Sequence, residues 1–179
     1  MGAPKDGRRS VGTSRATLVM PSDRDIVITR VFDAPREVVF DAWTKPEHVT
    51  QWWDPNRRPL VVCEIDLRPN GAFRFVNSGP DGAVHPFVGV YRDIEPPRRL
   101  VFTTRVVPSG AESVGTLLFS EHQGRTTLTL TITSQSENDR DALLQMRVDV
   151  GTMQTLDNLY EYLAEGTGTL SGDAGQDER

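Results

Sequence analysis

The residues of this chain most able to do chemistry are three histidines, one cysteine and a scatter of inward-facing polar side chains, and their spacing argues against most reactions. His48, His85 and His122 fall on a predicted helix, a strand and a turn. No HxxxH pair and no cysteine cluster accompanies them, so they read as unrelated histidines rather than as a metal site. Cys63 is the only cysteine, set between Val61 and Ile65 on the apolar face of an alternating strand. There it acts as a small hydrophobe; a nucleophilic thiol would need a base beside it and partial exposure. Glu64 and Asp66 share a strand face with Arg68, which describes a solvated surface rather than an acid–base pair. A Gly-rich phosphate loop and a GxSxG elbow are both absent from the sequence. These observations name no catalytic residue, no metal and no cofactor.

An acid–base enzyme would draw its acid and base from polar residues pointing into a cavity. The candidates are Arg74, His85, Tyr91, Arg92, Thr104 and Arg105. Arg74 lies between Phe73 and Phe75, so strand alternation sends it to solvent. Tyr91 shares parity with Phe87 and is the better candidate for a cavity hydroxyl. The remaining candidates are apolar. Trp43, Trp52 and Trp53 come from two short helical patterns; ordinary core packing is the favoured reading, but two adjacent tryptophans cannot both face inward on a helix, which leaves one for a rim. Trp43, Trp52, Phe75, Phe87, Tyr91 and Phe102, with Met146, Val150 and Met153 from the last helix, are the expected lining of a cavity that would take a small hydrophobic ligand. Gly151, in mid-helix at a cost of about 1 kcal/mol relative to alanine, suggests close packing or room for that ligand.

These side chains are positioned by a simple series of elements. Asp25–Phe32 is rich in β-branched residues and reads as a strand. Pro35 and Glu37 open a first short helix, and Thr44-Lys45-Pro46-Glu47 has the pattern of a capping box opening a second, which stops at Asp54-Pro55. From Leu60 the apolar period becomes two, and six strands follow to Thr133, punctuated by Pro69-Asn70-Gly71, Asn77–Gly82, Glu95-Pro96-Pro97, Pro108-Ser109-Gly110 and His122-Gln123-Gly124. Asn-Gly is expected to close a two-residue hairpin. Ser136–Glu165 then reads as one amphipathic helix, capped by Ser136 and ended by Gly166, with Ala142, Met146, Val150, Met153, Leu156, Tyr160 and Leu163 in a continuous stripe. Its apolar face must bury against the sheet.

Bulk properties narrow the partners. The 179 residues suffice for one domain with polar tails, expected as a tail over 1–22, a domain over 23–166 and a tail over 167–179. Met20 is a second candidate start of translation. The net charge is −5, with +3 in residues 1–19 and −2 in residues 166–179, leaving −6 on the middle. That gives no basic footprint for nucleic acid or anionic lipid. No apolar run approaches the roughly 20 residues of a membrane helix, and Arg8-Arg9 is not followed by a signal-like apolar segment. A single cysteine suits a reducing compartment, so the expected location is cytoplasmic.

Four segments carry a resemblance. The run ITRVFDAPREVVFDAWTKPEHVTQWW (28–53), then NGAFRF (70–75), GVYRDIEPPRRLVFT (89–103) and GRTTLTLTIT (124–133), are together similar to the AHSA1-like branch of the START/Bet v 1-like (SRPBCC) superfamily, over about residues 25–165. The resemblance implies an α+β helix-grip fold: a curved antiparallel sheet, two short helices and a long C-terminal helix packed across it, often with a cavity between. It implies no single activity. Relatives include lipid and hormone carriers, aromatase/cyclase enzymes and co-chaperone domains, so a chaperone contact or a homodimer contact stays open as a partner, and the fold alone does not assign function. Many relatives carry Gly-Trp where this chain has Gly151-Thr152, so the cavity end that this aromatic shapes should differ here.

Overall fold

The computed structural model describes residues 15–79, 82–105 and 112–168. Period-two sequences give eight strands: β1 (Thr17–Val19), β2 (Asp25–Phe32), β3 (Leu60–Ile65), β4 (Ala72–Ser78), β5 (Val84–Glu95), β6 (Arg99–Arg105), β7 (Glu112–His122) and β8 (Arg125–Ser134). They form one curved sheet in the order β1-β2-β8-β7-β6-β5-β4-β3, every neighbouring pair antiparallel. The meander from β3 to β8 is closed by β2, which pairs with β8 from Asp25↔Thr133 to Phe32↔Thr126. On β2 and β8 one face is buried and the other is lined by Thr127, Thr129, Thr131 and Thr133, the alternation expected of a sheet covered on one side.

Four helices cover the inner face: α1 (Arg36–Thr44), α2 (Pro46–Trp52), α3 (Glu137–Gln145) and α4 (Val148–Gly168). The long C-terminal helix of the expected helix-grip arrangement is α4. Ile26, Ile28, Phe32, Leu117, Leu128, Leu156 and Leu159 are fully or almost fully buried between it and the sheet. Arg30 also points inward, 2 % exposed, and forms an ion pair with Asp157 of α4 while its guanidinium lies 4.6 Å from the centre of the Tyr160 ring. The Tyr160 hydroxyl donates to Asp33 at 3.0 Å. These polar contacts tie the C-terminal half of α4 to β2.

Several expectations are corrected. Ser136–Glu165 is not one rod. Ser136 caps α3 as foreseen, accepting from the Asp139 amide, but Arg147 adopts φ 57 and breaks the chain between α3 and α4. Left-handed backbone ends an α-helix because the next amide can no longer point back along the axis. The stripe is therefore split: Ala142 is exposed, Met146 is 54 % exposed and Val150 is 40 % exposed, while Leu143 takes the buried place. The capping box does not form either. Lys45 occupies the N-cap of α2 without a side-chain bond, and Thr44 instead donates to the Phe40 carbonyl at 2.9 Å. The Asn-Gly turn belongs to a six-residue connection, residues 66–71, rather than a two-residue one; Asn70 takes φ 64, and a Cβ on Gly71 would collide with the Asp66 carbonyl. Part of the segment expected as an N-terminal tail is ordered sheet: β1 pairs with β2, and Ala16 and Leu18 pack against the core. Residues 1–14 and 169–179, the Pro108-Ser109-Gly110 turn and the His85 side chain lie outside the described residues.

Candidate functional site

Small residues on the first turns of α4 leave the sheet uncovered there. Val148, Gly151, Thr152 and Thr155 line the space beneath β6, β7 and β8, the buried Leu156 closes it, and Leu159 and Leu163 further along pack into the core. The result is a cavity of about 510 Å³ between the inner sheet face and α3–α4. Its floor is Phe102, Gly115, Leu130 and Ile132; its far wall is Trp43, Trp53, Pro55, Pro86 and Phe87; Leu143 and Met146 close the α3 side. Gly115 is required here, because a Cβ on it would run into the Phe102 ring that lies across it. A Cβ on Gly151 would meet only Pro55 Cγ, at 3.8 Å, so that position offers room rather than close packing.

The cavity is mostly apolar with a few polar groups: Thr104, Arg105 and Ser113 at one end, and Thr152 and Thr155 from the helix. The Thr155 hydroxyl is committed to backbone, donating toward the carbonyls of Trp53 (3.1 Å) and Gly151 (2.9 Å). Arg105 lies at the rim, 67 % exposed by its side chain and 3.9 Å from Glu112. Trp43 is 9 % exposed and borders the cavity, and its buried indole N–H has no acceptor.

Beside this cavity an aromatic cluster encloses a second void of about 20 Å³, room for about one water molecule. Trp53 approaches Phe75 with ring centres 4.7 Å apart and Phe87 at 5.2 Å; Phe73 lies 5.1 Å from Tyr91. Trp53 thus takes the rim position that one of the adjacent tryptophans had to occupy, while Trp52 is 1 % exposed and donates from its indole to the Ala42 carbonyl at 3.0 Å.

Of the nine expected lining residues, Trp43, Phe87, Phe102 and Met146 border the large cavity. Phe75 and Tyr91 border only the small void. Trp52 is core, Met153 is half-buried against the core, and Val150 faces outward because the break at Arg147 shifts the stripe. Trp53 and Gly151 border it too, as do Leu130, Ile132, Leu143, Val148 and Ser113, which the sequence does not single out as lining. Strand parity with Leu128 marks Leu130 and Ile132 as inward; no signal in the sequence separates a cavity wall from ordinary core.

Two of the candidate groups are held in their protonated forms. Burial pushes the Cys63 thiol up to about 11, and burial, with the Cys63 thiol as a lesser cause, holds the Tyr91 phenol well above its ordinary value. Arg74 is exposed, and Arg92 is exposed and donates to Thr103 at 3.1 Å. His48 Nδ1 lies 2.7 Å from the Tyr162 hydroxyl, an α2–α4 contact. Among the described residues no three His, Cys, Asp or Glu side chains come together as a metal site, and no helix is long and apolar enough to cross a membrane.

A one-sided antiparallel sheet gripping a long helix, with an apolar cavity at one end of that helix, defines a helix-grip protein. Residues 33–164 match the family described as Activator of Hsp90 ATPase homolog 1-like protein, and the chain belongs to that family, within the SRPBCC superfamily. Similar solved structures include protein NE0264 of Nitrosomonas europaea (22 % identity, 83 % of this chain and 99 % of that one, TM-score 0.74). Others are protein Ms6760 of Mycobacterium smegmatis (24 %, 84 % and 99 %, 0.74) and CalU16 of Micromonospora echinospora (27 %, 78 % and 73 %, 0.59). At such identities the first two show the fold alone. No curated protein matches the sequence.

Proposed function

We propose that the protein is a non-catalytic binder of a hydrophobic or amphipathic small molecule, held between the sheet and the N-terminal half of α4. The observation that carries this reading is the 510 Å³ cavity, which falls in the size range of small-molecule sites and is walled mainly by aromatic and aliphatic side chains. Membership in a superfamily whose fold is associated with ligand binding supports it. The described wall offers hydroxyls and one rim guanidinium but no carboxylate and no imidazole, so it supports binding over acid–base catalysis. Hydrophobic walls would supply the affinity and the few hydroxyls the orientation. The absence of a basic footprint on the −6 middle supports a small molecule over nucleic acid as the partner.

The direct test is native mass spectrometry of freshly purified protein, followed by thermal melts with hydrophobic probes. A co-purifying molecule, or a melting temperature that rises with probe concentration, is expected, because a ligand selective for the folded state must stabilise it. Protein that carries nothing and is stabilised by no probe removes the proposal.

A further inference from the structure

We infer that the ligand of this cavity ends in a neutral oxygen group, a hydroxyl or carbonyl, seated at a row of hydroxyls from Thr104, Ser113 and Ser134. This rests on the binding reading above and adds the ligand's chemistry and its orientation. Thr104 of β6 pairs with Ser113 of β7, and Ser113 pairs with Ser134 of β8. Residues directly opposite on adjacent antiparallel strands stand side by side on one face. The three hydroxyls therefore form a row across three strands. All three share inward parity with the floor: the next row is Phe102, Gly115 and Ile132, and the one after it Leu100, Leu117 and Leu130.

The cavity thus has polarity along its length: Leu130 and the row Phe102, Gly115 and Ile132 give an apolar floor, and the next row is hydroxylic. Thr104 and Ser113 line it directly. Ser134 is 2 % exposed and its hydroxyl has no hydrogen-bond partner. A buried hydroxyl left unpaired is costly and uncommon in a native core. No hydrogen bond joins the three hydroxyls as they stand, and Ser134 lies behind Ser113 rather than on the wall; rotation of the two serine side chains on ligand binding would let Ser134 donate to Ser113 and Ser113 donate to the ligand. A second buried donor without an acceptor, the Trp43 indole N–H, borders the same cavity.

Charge decides between a neutral end and an anionic one. Arg105 is the only cation on the described wall; it lies at the rim of the same end, its side chain exposed beside Glu112. A carboxylate drawn down to the hydroxyl row would be desolvated while its nearest counter-charge, the Arg105 guanidinium, stays solvated at the rim beside Glu112, which disfavours it. A hydroxyl or carbonyl loses little there and gains hydrogen bonds.

The test uses the full chain and three fluorescent probes with one body: 9-methylanthracene, 9-anthracenemethanol and anthracene-9-carboxylate. Affinities are read by probe fluorescence for the wild type, the Ser113→Ala/Ser134→Ala double variant and the Thr104→Val variant, each checked for folding by circular dichroism. The alcohol is expected to bind about five- to tenfold more tightly than the hydrocarbon, the worth of about one net hydrogen bond. Each variant should erase that preference, bringing the ratio of alcohol to hydrocarbon affinity to about one. Thr104→Val keeps the side-chain shape, so it answers the question even if the double variant does not fold. Equal binding of alcohol and hydrocarbon by the wild type, or tightest binding of the carboxylate, overturns the hydroxyl-row inference and leaves the container standing. Binding of none of the three overturns both.

Discussion

Replacing Gly151 with leucine should stabilise the protein and block the cavity together. Gly151 lies in the first turns of α4, where its missing side chain costs about 1 kcal/mol of helix propensity relative to alanine or leucine. A Cβ there meets nothing closer than Pro55 Cγ, 3.8 Å away, and Pro55 is itself on the cavity wall, so the added chain extends into space rather than into packed atoms. Full burial of a leucine side chain contributes about 1.5–3 kcal/mol; taking about half of that for a cavity only partly filled gives about 1 kcal/mol more. The expected gain is therefore about 2 kcal/mol, or roughly 4–8 °C in Tm for a chain of this size. Calorimetry in the absence of ligand measures the gain, and titration with an anthracene probe measures the accompanying loss of binding. A lower Tm for Gly151→Leu would mean that the space beside α4 does not exist as described, and the reasoning from small residues to cavity would fail with it.

Three other outcomes follow from particular contacts. Gly115→Ala should cost about 1–3 kcal/mol in urea unfolding, since the new methyl displaces the Phe102 ring; an unchanged midpoint would contradict the close approach. Asp157→Ala should cost about 3 kcal/mol by leaving the buried Arg30 charge uncompensated, and adding Arg30→Met should restore most of it, the double-mutant cycle being the check. The Cys63 thiol, raised from 9.0 to about 11 in the folded protein, contributes stability that is complete below pH 9 and is lost as pH rises through about 11. Thiolate absorbance titrated on the folded protein should show its midpoint near 11, and a midpoint near 9 would mean that the side chain is solvated.

What the sequence disclosed, and what it withheld, follows from the range of the forces involved. Strand positions were legible because alternation such as Leu128-Thr129-Leu130-Thr131 is a local pattern imposed by a one-sided sheet. The break at Arg147 was not. Ala142, Met146 and Val150 keep helical spacing straight through it, and no glycine or proline marks the residue that takes positive φ. The better cue was the competing set Leu143, Leu144 and Val148, which is buried or half-buried. β1 was too short, at three residues, to show a period. The lining was half legible: parity identified Phe87 and Phe102 as inward, but whether an inward residue meets a neighbour or a void is decided by the opposite layer, here by Gly151 and Thr152.

The division of α4 into a bulky, ion-paired half and a small-residue half separates two tasks along one helix. Leu159 and the Arg30–Asp157 pair hold the layers together at one end, while Val148, Gly151 and Thr152 set the empty volume at the other, with Leu156 at the boundary. Capacity can then drift, enlarged or reduced one side chain at a time, without loosening the clasp on which folding depends. In a scaffold arranged this way, the size of the hollow and the strength of the grip are set by different residues.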